Sequence, residues 1–261
     1  MDTGITGQMQ ADYRRNGIVK VEQLISRAQA AHYREATLAL LASTPEGGSA
    51  RYGHTFHQYV DVWRDDETLR GLTLHPRIGA IAEQLAGIPM RLWHDHTLAK
   101  EPAKAAPTAF HQDQMKWPFA APRQTLSAWI ALQDTPVERG CMSFLPGSHQ
   151  LADLPNIGTA DQGRWKREMP ALEWWPRMTV PLQAGDCTFH HGMVMHAAGP
   201  NTTEDWRVAH VIIFDDHDAH YSGQSHLVTD PLALQAGDAF PDELFPTVGG
   251  YSAEKEWTPR R

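Results

Sequence analysis

The chain has 261 residues, 41% of them hydrophobic and 21% charged, which is the composition of a globular protein with a full core and excludes a disordered one. A formal net charge of −8, from 31 acidic and 23 basic residues with no long Lys/Arg run, argues against a nucleic-acid partner. Cys141 and Cys187 permit at most one disulfide, the N-terminus lacks a signal-peptide layout, and no apolar run nears the ~20 residues of a membrane span, so a cytoplasmic protein with no membrane partner is expected.

In chain order, residues 22–43 place Leu24, Ala28, Ala31, Leu38 and Leu41 on one stripe, interrupted by Glu35, and predict an amphipathic helix. PRIGAIAEQLAGIP predicts a second helix, stopped by Gly87 and Pro89. From about residue 90 the texture becomes β: RLWHDHTLAK, LSAWIALQD, CMSFLP, MTVPL, CTFHHGMVMH and WRVAHVIIF, at the spacing of a sandwich or jelly roll. Within LSAWIALQD, Leu126, Ala128, Ile130 and Leu132 face one way, while Ser127, Trp129 and Ala131 face the other, aiming Trp129 at whatever cavity lies there. Residues 151–178 carry Pro155, Gly158, Gly163, Pro170 and Pro176 with little periodicity and read as an irregular, lid-like insertion. No linker or repeat divides the chain, so one domain over 1–261 is expected.

His111 and Asp113 stand two apart, so in extended conformation both side chains leave one strand face and can share a metal. Alone this pattern is weak, because 15 histidines make one such triplet expected roughly by chance. A third ligand candidate, His196, ends a β-like run, and the turn-rich AAGPNTTED leads on to Arg207 at the head of the next. Antiparallel neighbours would bring both beside the same cavity. Two histidines and one carboxylate leave open metal positions, as in non-haem Fe(II) oxygenases, whereas a structural zinc wants four closed ligands. Arg207 offers the planar fork that binds a carboxylate in two places.

The segments FHQDQMKWPF, LSAWIAL, GCMSFLPGSH and FHHGMVMHAAGPNTTEDWR, in this order, resemble the phytanoyl-CoA dioxygenase family, and the likeness runs from ADYRRNGIVKVEQLIS to SHLVTDPLALQAGD. The resemblance implies that His111, Asp113 and His196 are iron ligands and that Arg207, eleven residues beyond His196, holds 2-oxoglutarate. It matches Trp129 to a tryptophan lining the cosubstrate site and places His96 at another cosubstrate contact. It also implies that Fe(II) and 2-oxoglutarate work with O2, releasing succinate and CO2 as a C–H bond of a small-molecule substrate is oxidised. Family halogenases carry a small residue where Asp113 stands, so halogenation is not expected.

Gln114, Lys116 and Trp117, directly after the metal pair, are candidate substrate-pocket walls or simply an aromatic-rich strand end. His191, five residues before His196, should point away from the metal. His149 suits either a role supporting the ligands or a turn cap, His94 shares a strand face with His96, and His210 reads as a half-buried strand residue. Within the insertion, Arg164, Trp165, Lys166, Arg167, Trp174, Trp175 and Arg177 suit either a clamp on an anionic substrate or a solvated loop.

The expected fold is a mostly β, cupin-like double-stranded β-helix with flanking N-terminal helices, and the expected activity is hydroxylation of a small metabolite. Desaturation, cyclisation or epimerisation on the same scaffold, a non-catalytic metal- or ligand-binding jelly roll, and a metal-dependent hydrolase are the rivals.

Overall fold

The computed structural model describes residues 2–43, 50–52, 56–103, 105–151, 161 and 163–248. The N-terminal third supplies α1 (Gly7–Asn16), β1 (Ile18–Val21), α2 (Arg27–Ser43), β2 (Ala50–Tyr52), β3 (Phe56–Val60), α3 (Glu67–Thr73) and α4 (Pro76–Ala86). Then come β4 (Met90–Lys100), β5 (Thr108–His111), β6 (Phe119–Ala120), β7 (Thr125–Ala131) and β8 (Met142–Phe144). After α5 (Arg164–Glu168) follow β9 (Met178–Val180), β10 (Cys187–His191), β11 (His196–Ala198), β12 (Arg207–Asp216) and β13 (His220–Tyr221).

Every strand pair is antiparallel. A seven-stranded sheet runs β1-β10-β7-β12-β4-β3-β2, a four-stranded sheet runs β5-β11-β8-β9, and β13 pairs with β6. This is the double-stranded β-helix the sequence predicts. Central strand β12 is buried at all ten positions, as expected of a strand covered on both faces. Its even residues Val208, Ile212 and Phe214 join Leu126, Ile130, Ile78 and Leu85 under the helices; its odd residues Ala209, Val211 and Ile213 join Trp129 and Phe144 between the sheets. The parity deduced for Trp129 therefore holds. On β4 the register against β12 shifts between Ile213 and Phe214, leaving Trp93 unpaired, so that Trp93 joins the inner cluster while His94, His96 and Leu98 line the cavity.

Helix α4 matches its prediction: Pro76 sits in the first turn, where a missing N–H costs nothing, and Gly87 closes the helix at φ 73°. Helix α2 starts at Arg27, with Leu24 and Ile25 buried in the turn before it. Its inward face is only partly the expected one, with Leu38 and Leu41 packed on the core as expected. Ala28 and Ala31 are exposed, and the inward stripe runs through Ala30, Tyr33, Thr37 and Leu41, because small alanines mark a helix face only weakly. Helix α1 escapes a periodicity search because Tyr13 is its one buried residue; its ends are set by Thr6, which accepts from the Met9 N–H, and by Gly17 at φ 75°.

The insertion lies partly outside the described residues. Its described part is more ordered than expected: α5 and a 3-10 turn, Pro170–Trp174, bury Trp165 and Leu172 against Phe110, Leu145 and Met195.

Candidate metal centre

His111 ends β5 and pairs directly with His196, which begins β11, so the four-stranded sheet sets the two imidazoles side by side, tilted by 53° with ring centroids 4.2 Å apart. Each ring Nδ1 meets a carbonyl, Ala109 at 2.8 Å and Val194 at 3.0 Å. A carbonyl can only accept, so Nδ1 carries the proton and the Nε2 lone pair is turned inward, the tautomer a metal requires. Burial, reinforced by Lys116 for His111 and by His111 for His196, pushes both imidazoles below their ordinary range and keeps them neutral.

Asp113 arrives by a different route from the one expected. It does not continue β5 as an extended residue; at φ −78°, ψ −46° it opens the 3-10 turn Gln114–Lys116. The backbone N–H groups of Asp113 and Gln114 both donate to the Gly192 carbonyl, at 3.0 and 2.9 Å, and this anchor swings the carboxylate under the imidazoles. Its oxygens lie 3.3 Å from His111 Nε2 and 3.6 Å from His196 Nε2. One ligand atom from each of His111, Asp113 and His196 lies within 4.8 Å of the others, a set that could hold a metal ion.

Arg207 does head β12, but β11 and β12 belong to different sheets, so His196 and Arg207 face one another across the cavity and are not neighbours on one sheet. Its side chain is 2% exposed, with Cζ 5.4 Å from the Trp129 ring centroid. The Nε and Nη1 donors have no partner among the described residues. A buried guanidinium with idle donors suits a carboxylate ligand, because an unmet buried donor carries the full desolvation cost. Burial draws it down to about 10, so it remains cationic at neutral pH.

The cavity, about 590 Å³, is lined from both sheets. His96, Trp129, Lys116 and Trp117 all reach it. Gln114 does not: its Oε1 accepts from the Thr125 hydroxyl at 2.6 Å, since the 3-10 turn rotates it away from the ligands. His191 is turned from the centre and packs at a tilt against His149, whose Nε2 meets the Arg14 carbonyl at 3.2 Å, so His149 braces the N-terminal helix and not the ligands. His210 is fully buried rather than half-buried, 2.7 Å from the Thr73 hydroxyl on the helix side of the large sheet. The described basic residues of the insertion do not line the cavity: Arg164, Lys166 and Arg167 pair with Glu168, Glu173 and Asp161.

Two histidines were missed by sequence reasoning. His190, 1% exposed, brings Nε2 to 3.9 Å from Asp113 Oδ2; strand alternation from the outward His191 was the available signal. His226 stacks on His94 at 5.7 Å from a loop without periodicity, and nothing local marks it.

A jelly roll with a His-Asp-His triad and open metal positions, opposite a buried arginine, is the arrangement of the iron- and 2-oxoglutarate-dependent oxygenases. The family model for phytanoyl-CoA dioxygenase (PhyH) matches residues 13–209, and the chain belongs to that family. The human peroxisomal phytanoyl-CoA dioxygenase is 27% identical over 62% of this chain, which spans about half (49%) of that protein's length. Methylphosphonate hydroxylase of Gimesia maris is 27% identical with 79% of each chain covered. Among solved structures, the α-ketoglutarate-dependent carbocyclase SnoK from nogalamycin biosynthesis is 35% identical over 95% of this chain and 98% of its own, with TM-score 0.83. The epimerase SnoN, solved with Fe3+, α-ketoglutarate and nogalamycin RO, is 36% identical over 92% and 97%, with TM-score 0.80.

Proposed function

We propose that the protein is an Fe(II)- and 2-oxoglutarate-dependent dioxygenase that oxidises a C–H bond of a small biosynthetic intermediate. The observation that carries this reading is the buried guanidinium of Arg207, whose Nε and Nη1 have no partner among the described residues, facing the His111, Asp113 and His196 triad across one cavity. The triad would hold iron, and Arg207 the far carboxylate of 2-oxoglutarate, with Trp129 as a wall beneath the guanidinium and His96 a further contact. Bound there, iron with 2-oxoglutarate and O2 supplies hydrogen abstraction from an unactivated C–H bond, the cosubstrate leaving as succinate and CO2. The chain's part is to keep both imidazoles neutral, Asp113 ionised and Arg207 charged, and to exclude bulk water with walls such as Trp117, Leu98 and Val211.

Hydroxylation is the simplest outcome. A second outcome, ring closure or epimerisation, is favoured by the carbocyclase and epimerase at 35–36% identity with near-complete coverage. Both begin with the same abstraction. Two buried free cysteines, Cys141 and Cys187, suit the reducing cytoplasm we assign to it; among the described residues no helix is long and apolar enough to cross a membrane.

Anaerobic titration with Fe(II) and 2-oxoglutarate tests the reading: a visible charge-transfer band is expected, and fully metallated protein without it would refute the assignment. Turnover under 18O2 then separates the outcomes, since hydroxylation places labelled oxygen in the product and cyclisation or epimerisation does not.

A further inference from the structure

On the oxygenase reading above, we infer that Lys116 is a specificity residue that binds an anionic group of the substrate, so the substrate class is an organic acid with an apolar body. Of the described residues lining the cavity only Asp113 is acidic, while Arg207 and Lys116 are cationic. The lining histidines His94, His96 and His226 are pushed down by burial and stay neutral. Iron(II), the cosubstrate dianion, Asp113 and Arg207 together carry no net charge. Lys116 is then the uncompensated cation among the lysines, arginines and carboxylates of the described lining.

Its ammonium lines the cavity and makes no hydrogen bond or ion pair to a described residue. A metal on Asp113 would take up that carboxylate's charge and leave the ammonium, which is only partly buried, open to an anionic ligand. The residue is held in place for a ligand: its backbone N–H donates to the Asp113 carbonyl at 3.0 Å within the 3-10 turn anchored on Gly192. Around it, Trp117, Val211, Ile213 and Leu227 offer apolar surface for the rest of the molecule. An anion on Lys116 would make a charge-assisted contact and bring the occupied site to neutrality.

The test uses the full chain loaded with Mn(II) and 2-oxoglutarate and titrated calorimetrically with 2-naphthoate and 2-naphthamide, probes alike in shape and different in charge. We expect the acid to bind at least about tenfold more tightly, the preference to vanish in Lys116→Met and to persist in Lys116→Arg. Equal affinities in the wild type, including no measurable binding of either probe, overturn the inference, as does a preference that survives Lys116→Met. The Fe(II)/2-oxoglutarate band is recorded on the same proteins. Its loss in Lys116→Met would assign the lysine to the cosubstrate and overturn the inference alone, whereas its absence in the wild type would overturn the oxygenase reading and the inference together.

Discussion

His111 and His196 are cross-strand partners, and each is locked by a carbonyl two residues before it in the chain, so the same local device orients both Nε2 atoms toward Asp113. The two carbonyl contacts thus hold both rings in the tautomer and orientation a metal requires. Replacing His196 with Ala should lower Fe(II) affinity by more than the ~10–100-fold that loss of a supporting residue costs. Metal titration followed by the cosubstrate band checks this, and an unchanged affinity would remove His196 from the ligand set.

Arg207→Ala should weaken 2-oxoglutarate binding by about 2–5 kcal/mol, since a desolvated charge-assisted fork is lost. Arg207→Lys should fall between the two, because it keeps the charge and loses the bidentate geometry. Titration of the band with 2-oxoglutarate reads both, and equal affinities in all three proteins would exclude a cosubstrate role for Arg207.

Gly192 stands where a Cβ would lie 2.3 Å from the Thr125 hydroxyl and 2.8 Å from the Trp117 ring, and its carbonyl anchors the Asp113 turn. Gly192→Ala should destabilise the fold by about 1–3 kcal/mol through overpacking and also lower Fe(II) affinity, because the turn that aims Asp113 must shift. Urea melts and metal titration on one sample decide the point: lost stability with intact metal affinity would mean the anchor does not position the ligand.

Lys100 is fully buried and donates to the Ala106 and Gly199 carbonyls at 2.9 and 2.6 Å. Burial and then the charge of Arg207 pull its pKa from 10.5 to about 6. Above that value the folded chain has released a proton that the unfolded chain keeps up to its own pKa, so folding stability rises with pH between the two and flattens outside them. The stability of wild type minus Lys100→Met should therefore climb between pH 7 and 9 by up to about 1.4 kcal/mol per unit. Parallel pH profiles in urea melts would show that Lys100 stays charged in the fold.

The sequence by itself determined the β-rich texture and strand parity by local rules, and the family resemblance added the candidate ligands, the arginine and the jelly-roll class. Strand alternation aims Trp129 inward whatever the neighbouring strand is, and the order His111, Asp113, His196, Arg207 is written in the chain. The sheet to which each residue belongs was decided only by tertiary closure. His196 and Arg207 looked like neighbours along the chain, yet they approach across the gap between two sheets. Asp113 looked like a strand residue, but its turn is set by the carbonyl of Gly192, seventy-nine positions away. That Arg207 Nε and Nη1 find no partner among the described residues is likewise non-local: it depends on which charges the two sheets place around the guanidinium, and a linear pattern carries no information about charges it fails to bring near.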